Sequence, residues 1–310
     1  MLAFSSLLGN VEGQNIYRIW YDKPASYWEE ALPVGNGRIA AMVFGDPQLE
    51  QIQLNEETVS AGSPYQNYNE EAKTALPEMR RLIFEGKYEE AQNMAATKIL
   101  SQVGNEMPYQ TVGRLNIRYQ DHKKVNNYYR DLDISNAVAV ARYEVDGVEF
   151  TEETFASFTD QLVIRHIKAS KPGTINCELF FNTPMRDPKR SIYGKKGLRL
   201  EGITHGSRYF PGKVHYCADL DVKHKGGKVI TANDTLLSVQ GASELTLYIS
   251  MATNFVNYKD ISGDPYQRNK AYLKNAAKDY SKAKAAHIAA YQKQFNRVTC
   301  LLYTSPSPRD

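Results

Sequence analysis

Apolar and polar residues alternate along much of the chain, and this two-residue period predicts β-strands. Residues 50–55 alternate as a half-exposed strand would, whereas residues 38–45 are apolar enough to form a buried strand. Residues 112–257 continue in strand-like patterns without a long helical segment. We therefore predict a mainly β protein whose antiparallel sheets pack face to face as one large β-sandwich.

Turn residues divide the strands of this region. Asp146-Gly147 separates two alternating runs, and Asp-Gly favours the type I′ turn of a β-hairpin. Residues 171–173 are predicted to close a second hairpin. Further turns are predicted at Gly226-Gly227 and at Asn233-Asp234.

A helical period replaces the alternation within residues 69–100, which are charged and rich in alanine. We predict two short inserted helices, over residues 70–84 and 88–100, with Asn69 as the N-cap of the first. Pro77 lies inside the first helix and is expected to kink or split it.

A helical period also covers residues 265–298 and predicts one long C-terminal helix. Asp264 and Pro265 form a favourable N-cap and N1 pair for its start. We expect the apolar face of this helix to be exposed in the chain by itself, because it is suited to packing against a further domain. That face comprises Leu273, Ala277, Tyr280, Ile288, Tyr291 and Phe295.

Composition and charge exclude several classes of partner. The net charge of +3 over 310 residues gives no support to nucleic-acid binding. The densest basic run, KRSIYGKKGLR from Lys189 to Arg199, is interpreted as a solvated loop. No stretch approaches the roughly 20 apolar residues of a membrane helix, so no membrane partner is predicted.

Two stretches partly match ligand-binding motifs. Gly35, Gly37 and Ala40 have the spacing of a dinucleotide fingerprint, but a strand-like run follows them where that motif needs a helix. We interpret these glycines as a tight turn before a strand. His215 and Cys217 are interpreted as residues on one face of a strand, with a partial metal site as the alternative. No metal and no cofactor are predicted.

Residues 19–45 combine two tryptophans with a Gly-Asn-Gly-Arg loop. Trp20 and Trp28 are interpreted as anchors in the core or at an interface. Arg38 is expected to bind a carboxylate through two hydrogen bonds or to span a domain interface.

Carboxylates occur in adjacent pairs at Glu29-Glu30 and Glu56-Glu57. A glycosidase needs two carboxyl groups at a fixed separation across a cleft, and sequence spacing cannot show such a separation. Both pairs are therefore interpreted as solvated or backbone-capping acids.

These segments together resemble the N-terminal domain of glycoside hydrolase family 95, the inverting α-L-fucosidases and their relatives. The matching segments occur in the same order as in the family, from about residue 16 to about residue 298. Their amino-acid sequence is most similar to that of Bacteroidetes enzymes. Ser60 and Arg114 depart from the tryptophan and the acidic residue usual in the family. The segments that carry the likeness include IWYDKPASYWEEALPVGNGRIAAMVFG (residues 19–45), IQLNEETVSAGSPYQN (52–67) and YYRDLDISNAVAVARYEVDGVEFTEETFASFTDQLVI (128–164).

The resemblance implies a large sandwich, a helical linker and then an (α/α)₆ barrel that carries the catalytic groups. It divides the chain into a sandwich over residues 16–260 and a linker over 261–299. Residues 1–15 are a leader or the remnant of a signal peptide, and residues 300–310 resemble a non-native, adapter-like tail. Because the chain is expected to end before the barrel, no catalytic residue is assigned.

The resemblance further implies that Asn36, Arg38, Asn55 and Glu56 approach the sugar pocket of the intact enzyme, with packing at the domain interface as the alternative. The implied function is the non-catalytic N-terminal part of an α-L-fucosidase that is periplasmic or secreted. Its expected partners are the barrel and, through it, a fucosylated glycan. The alternatives are a stand-alone carbohydrate-binding sandwich, or part of an enzyme for α-L-galactosides or of a sugar phosphorylase.

Overall fold

The structure is a computed structural model that describes residues 17–101, 107–207, 210–276 and 279–298. Its strands form a nine-stranded and a seven-stranded antiparallel sheet that pack together as a sandwich, which confirms the predicted fold class. The predicted leader (1–15) and tail (300–310) lie outside the described residues.

The nine-stranded sheet has the order β1-β6-β7-β8-β9-β16-β13-β12-β11, and the seven-stranded sheet has the order β14-β15-β10-β5-β4-β3-β2. The strands are β1 (Arg18–Tyr21), β2 (Leu32–Gly35), β3 (Ile39–Val43), β4 (Leu49–Glu56), β5 (Gly113–Tyr119), β6 (Val125–Asp133), β7 (Val138–Val145), β8 (Val148–Ala156), β9 (Val163–Ala169), β10 (Ile175–Asn182), β11 (Arg186–Tyr193), β12 (Gly197–Ile203), β13 (His215–Lys225), β14 (Lys228–Asn233), β15 (Leu236–Ala242) and β16 (Glu244–Thr253). The helices are α1 (Ala72–Phe84), α2 (Tyr88–Met94), α3 (Pro265–Asn275) and α4 (Tyr280–Phe295).

The turns were predicted better than the strand pairing. Asp146 and Gly147, with φ of 50° and 75°, join the paired strands β7 and β8, which confirms that hairpin. The hairpin predicted at residues 171–173 is wrong, because β9 and β10 belong to different sheets. The turn at Gly226-Gly227 likewise leads from one sheet to the other. A turn sequence specifies a chain reversal, whereas the choice of sheet depends on distant apolar partners.

The basic run from Lys189 to Arg199 is not a loop. It lies in the hairpin of β11 and β12, and β11 is an edge strand of the nine-stranded sheet. Charged side chains on an edge strand oppose pairing with a second molecule, because their burial there would be unfavourable.

Helix α1 begins within two residues of its predicted start, ends at the predicted residue 84, and α2 begins at the predicted residue 88. The α-helical part of α2 ends at Met94 instead of residue 100, because a π-helical segment, Ala95–Ile99, takes its place. Asn69 is not the N-cap of α1. Its side-chain oxygen accepts a hydrogen bond from Glu71 N at 3.0 Å, in the turn before the helix. Pro77 lies inside an unbroken α1, so the predicted split does not occur.

The single C-terminal helix predicted for residues 265–298 is wrong, because two helices occupy this range. Asp264 caps α3 as predicted, by accepting hydrogen bonds from Tyr266 N and Gln267 N. Asp279 caps α4 by accepting a hydrogen bond from Lys282 N at 3.0 Å. A second N-cap therefore begins a new helix where the apolar period alone indicated continuation.

The apolar face of these helices packs on the protein's own sandwich, contrary to the expected exposure. Ala283 of α4 is fully buried in a small core with Phe155 and Ile164, on the outer side of the nine-stranded sheet. Tyr272 and Tyr280 pack against the same core. The helices thus cover this sheet face, and Ala277 of the predicted stripe lies outside the described residues.

Neither Trp20 nor Trp28 belongs to the core, since both side chains are exposed. The core part of their interpretation is wrong, and a role at an interface stays a prediction. Within the described ranges, no helix combines the length and the apolar composition of a membrane span.

Candidate functional site

The predicted site begins at the turn between β2 and β3, where Asn36 organises the backbone. Its side-chain oxygen accepts hydrogen bonds from Arg38 N at 3.0 Å and Ile39 N at 2.9 Å. Its amide nitrogen donates to the Ser157 carbonyl at 2.9 Å, directly after β8 of the opposite sheet. Gly37 adopts a φ of 93°, which favours glycine. The interpretation of the glycines as a turn before a strand is confirmed.

Arg38 connects both sheets with α3. It donates from Nε to Gln161 Oε1 at 2.8 Å and from Nη2 to the Gln161 carbonyl at 3.0 Å. Its Nη1 donates to the Met251 carbonyl at 2.8 Å. The guanidinium also lies 4.5 Å from the ring centre of Tyr272, which is a cation–π distance. Arg38 therefore joins the predicted sandwich and linker regions.

Glu56, the last residue of β4, faces inward and is almost fully buried. Its carboxylate accepts hydrogen bonds from Thr58 N at 2.8 Å and Thr58 Oγ1 at 2.6 Å, and lies 3.5 Å from Arg38 Nη1. Burial raises the pKa of this carboxyl group, although the hydrogen bonds of Thr58 oppose the shift. The Thr58 hydroxyl is also hydrogen-bonded to that of Thr253 on β16.

Asn55 lies on the other face of the same strand. Alternate residues of β4 are buried, and Asn55 is on the half-exposed side. The structure therefore brings Asn36, Arg38 and Glu56 together and leaves Asn55 apart from them. Direct contact of these four residues with a sugar stays a prediction.

A cavity of about 680 Å³ opens beside Thr58. Tyr65, Phe255 and Tyr258 contribute rings to it, and Ser60, which replaces the family's usual tryptophan, lies in its wall. Among the described lining residues, Glu57 alone carries a carboxylate. Inverting glycoside hydrolysis uses two carboxyl groups about 6.5–9.5 Å apart. A hydrolytic site here would need a second group from beyond this lining.

Sequence reasoning missed the partners that fix Arg38. Gln161 and Met251 are 123 and 213 residues away from it, and no local pattern indicates that they meet. The acceptor at Met251 is a backbone carbonyl, so the identity of that residue gives no indication of the contact. Only the packing of the two sheets brings these groups to the β2–β3 turn.

The weaker metal-site alternative finds no support in the geometry. His215 and Cys217 share one face of β13, but His215 is exposed and Cys217 is fully buried. The Cys217 sulfur lies 3.6 Å from Asp219 Oδ1. In the part of the chain that the structure describes, no three His, Cys, Asp or Glu side chains cluster as metal ligands would.

Replacing Arg38 with methionine should lower the free energy of unfolding by about 2 kcal/mol, because buried acceptors lose a charged donor. Urea unfolding followed by circular dichroism measures this change. Asn55→Ala is the matched control from the same candidate site and should cost less than about 0.5 kcal/mol. Equal losses in the two variants would contradict the connecting role of Arg38.

Known proteins resemble this chain in sequence. A family model described as "Glycosyl hydrolase family 65, N-terminal domain" matches residues 19–258. The chain is 31% identical to "Alpha-L-fucosidase 2" of Arabidopsis thaliana, over 93% of this chain and 37% of that protein. It is 26% identical to "Probable alpha-fucosidase A" of Aspergillus niger, over 92% of this chain and 38% of that protein. It therefore spans less than two-fifths of the length of these curated relatives.

Among solved structures, one described as "Putative kojibiose phosphorylase from human microbiome" superimposes with a TM-score of 0.47 at 9% identity. That match covers 92% of this chain and 38% of the other. The family model extends over most of the chain, and the α-fucosidase relatives align along nearly all of it. The chain belongs to the family of glycosyl hydrolase family 65 N-terminal domains and, along this domain, is similar to α-fucosidases.

Proposed function

We propose that this chain is the N-terminal part of an inverting α-L-fucosidase of glycoside hydrolase family 95, which removes terminal α-linked fucose from glycans. The observation that carries the proposal is the alignment with "Alpha-L-fucosidase 2" over 93% of this chain at 31% identity. Because the matching family model is described as family 65, membership of family 95 rests on the quoted sequence segments and the α-fucosidase relatives.

In this proposal the catalytic groups lie on a domain that follows residue 298. Two observations support it: the chain spans 37% of the length of that relative, and the described lining of the cavity beside Thr58 has one carboxylate. An inverting enzyme needs a carboxylic acid that protonates the leaving oxygen and a second group that activates water on the opposite face of the sugar.

The sandwich and its two C-terminal helices would then position the catalytic domain. Arg38 supports this role, because it fixes Tyr272 of α3 against both sheets. We further propose that the intact protein is periplasmic or secreted, in a bacterium of the Bacteroidetes type, where fucosylated glycans are accessible.

The test compares this 310-residue chain with the longer protein encoded by its gene, using 2′-fucosyllactose as substrate. We expect fucose release by the longer protein and none by the 310-residue chain. Proton NMR should show β-fucose first, because inversion converts an α-linkage into a β-product. Fucose release by the shorter chain, or none by the longer protein, would overturn the proposal.

The same preparation distinguishes the finer alternatives. Faster turnover of an α-L-galactoside than of the matched α-L-fucoside would change the assigned sugar. Formation of a sugar 1-phosphate in phosphate buffer would instead identify a phosphorylase.

A further inference from the structure

A groove on the outer face of the seven-stranded sheet has the composition of a ligand site. Its volume is about 590 Å³. Gln51 and Arg114 point into it, because their neighbours Ile52 and Leu115 occupy the sandwich core. We name it the Trp28 groove, defined by Tyr27, Trp28, Phe44, Asp46, Gln51 and Arg114.

Two adjacent aromatic side chains form one wall of the Trp28 groove. Tyr27 is 57% exposed and Trp28 is 49% exposed, so both rings offer large uncovered faces. Neighbouring exposed aromatic side chains at a cavity are typical of binding surfaces, because a bound ligand removes their apolar ring faces from water.

The loop that carries these rings is held firmly before any ligand binds. The fully buried Arg130 donates to the Lys23 carbonyl and to the Glu30 carbonyl, both at 2.8 Å. The Glu30 carboxylate accepts a hydrogen bond from Ser26 N at 2.8 Å. Ala25 N donates to the Phe44 carbonyl at 2.9 Å. Such preorganisation reduces the entropy lost on binding.

The floor of the Trp28 groove supplies planar hydrogen-bonding groups. Arg114 donates to Gln51 Oε1 and keeps further N–H donors, and the Gln51 amide nitrogen adds two more. Asp46 Oδ1 accepts from Gln48 N and Leu49 N, while its second oxygen remains an acceptor. Lys23 also lines the groove, and its Nζ lies 3.9 Å from the Glu30 carboxylate. Two cations are thus balanced by the carboxylates of Asp46 and Glu30, which suits a neutral ligand better than a strongly charged one.

The polar surface continues beyond the groove along the sheet. Arg114 also lines a neighbouring cavity of about 270 Å³ together with Gln53 and Asn182. These three residues are direct partners across β4, β5 and β10, so they form one row at strand spacing of about 4.8 Å. A row of this kind can contact successive units of one chain-like ligand.

We propose that the Trp28 groove binds a neutral oligosaccharide. A pyranose ring has a face of C–H groups and a rim of hydroxyls that both donate and accept hydrogen bonds. The face stacks on Trp28, and the hydroxyls bond to Arg114, Gln51 and the row beyond them. The proposal rests on the groove alone and requires no fucose hydrolysis.

Tryptophan fluorescence provides a direct test, because the chain has two tryptophans. Trp20 lies on β1 of the other sheet, where its ring stacks on Tyr129, so Trp20→Phe leaves Trp28 as the sole reporter. We would titrate this variant of the full 310-residue chain with a neutral fucosylated pentasaccharide. A saturable change in Trp28 emission is expected, and its absence up to about 10 mM ligand would overturn the proposal.

Calorimetry with two substitutions and two matched controls locates the site. Trp28→Ala should weaken binding at least about tenfold, and Arg114→Gln should weaken it about threefold to tenfold. Trp20→Ala is the control for an exposed tryptophan, and Arg118→Gln is the control for an exposed arginine on the same strand. Both controls should bind as the unsubstituted chain does.

Three results would contradict the inference. They are unchanged affinity in Trp28→Ala, equal loss in a variant and its matched control, and tighter binding of the sialylated counterpart than of the neutral sugar. Binding by this chain is measured without turnover. A longer protein that releases no fucose would therefore refute the proposed function and leave this result intact.

Discussion

Replacing Arg165 with methionine should lower the free energy of unfolding by about 3–5 kcal/mol, because two buried carboxylates lose their shared cation. Arg165 lies between the sheets with its side chain 1% exposed. It contacts Glu152 and lies 3.3 Å from Glu50, and Nη1 donates to the Thr154 hydroxyl at 2.8 Å. Methionine occupies a similar volume but cannot balance either charge.

The surrounding hydroxyls cannot replace this cation. Tyr119 and Tyr143 both donate to Glu152, at 2.6 and 2.7 Å. These hydrogen bonds satisfy oxygen atoms but leave the net charge of the cluster unchanged. The desolvation penalty of the carboxylates would then be uncompensated in a water-poor interior.

Urea unfolding at about pH 8, followed by circular dichroism, measures the Arg165→Met effect. Arg118→Met is the control, because Arg118 is 51% exposed and lies 3.2 Å from Glu178 at the surface. An exposed pair of this kind contributes at most about 1 kcal/mol. Similar losses of unfolding free energy in both variants would show that the buried ion pairs contribute no more to stability than the exposed pair does.

A combined variant separates loss of charge balance from loss of packing. Adding Glu50→Gln and Glu152→Gln to Arg165→Met removes the uncompensated charges and should recover part of the lost stability. No recovery would mean that the shape of the arginine side chain, rather than its charge, carries the effect.

The buried cluster of Arg165, Glu50 and Glu152 also shows which contacts a sequence pattern cannot predict. Arg165 lies within residues 112–257, which are predicted to form strands, and β4 is predicted from its alternation. Neither pattern indicates that Arg165 and Glu50, 115 residues apart, meet inside the sandwich. Alternation identifies the two faces of a strand, but it does not identify which strand lies opposite.

In the candidate site, too, local features follow from the sequence, whereas long-range contacts do not. The β2–β3 turn follows from local chemistry, because a glycine at a φ of 93° and an Asn-capped turn are short-range features. The contacts of Arg38 depend on Gln161 and Met251, which only the assembled sheets bring near. The local turn could thus be predicted from sequence, whereas the contacts that hold Arg38 could not.

For the C-terminal helices, the sequence predicts an apolar face correctly but not the surface that this face packs against. Their apolar period predicts a packed face, but the expectation that another domain covers it is wrong. Ala283 packs against Phe155 on the sandwich itself, and the consecutive buried residues of β16 reflect a strand covered on both faces. A periodic stripe predicts that a helix packs, without specifying against what.

A Glu50→Gln substitution should remove a large pH-dependent part of the folding free energy. Complete burial raises the pKa of Glu50 from 4.5 to about 7, with Glu152 adding to the shift and Arg165 opposing it. The folded state therefore holds this proton more tightly than the unfolded chain does. The resulting stability is fully present below about pH 4.5 and is lost as the pH rises through about 7.

The measurement is the difference in unfolding free energy between Glu50→Gln and the unsubstituted chain, from about pH 4 to about pH 8. This difference should move in favour of the variant by about 3 kcal/mol, since each pKa unit corresponds to about 1.4 kcal/mol. Glu244→Gln is a control of opposite sign, because the hydrogen bond from Lys225 lowers the pKa of Glu244. Its stabilising contribution is lost as the pH falls.

The unfolding free energy of the variant must be compared with that of the unsubstituted chain, because other buried groups also titrate between about pH 4 and pH 8. Burial lowers the pKa of His122, His166 and His287, so their protonation destabilises the fold as the pH falls. That trend opposes the contribution of Glu50 and can mask it in the unsubstituted chain alone. The histidines are present in both proteins, so their contributions largely cancel in the difference. Parallel curves would show that the pKa of Glu50 is the same in the folded and unfolded states, which would contradict the prediction.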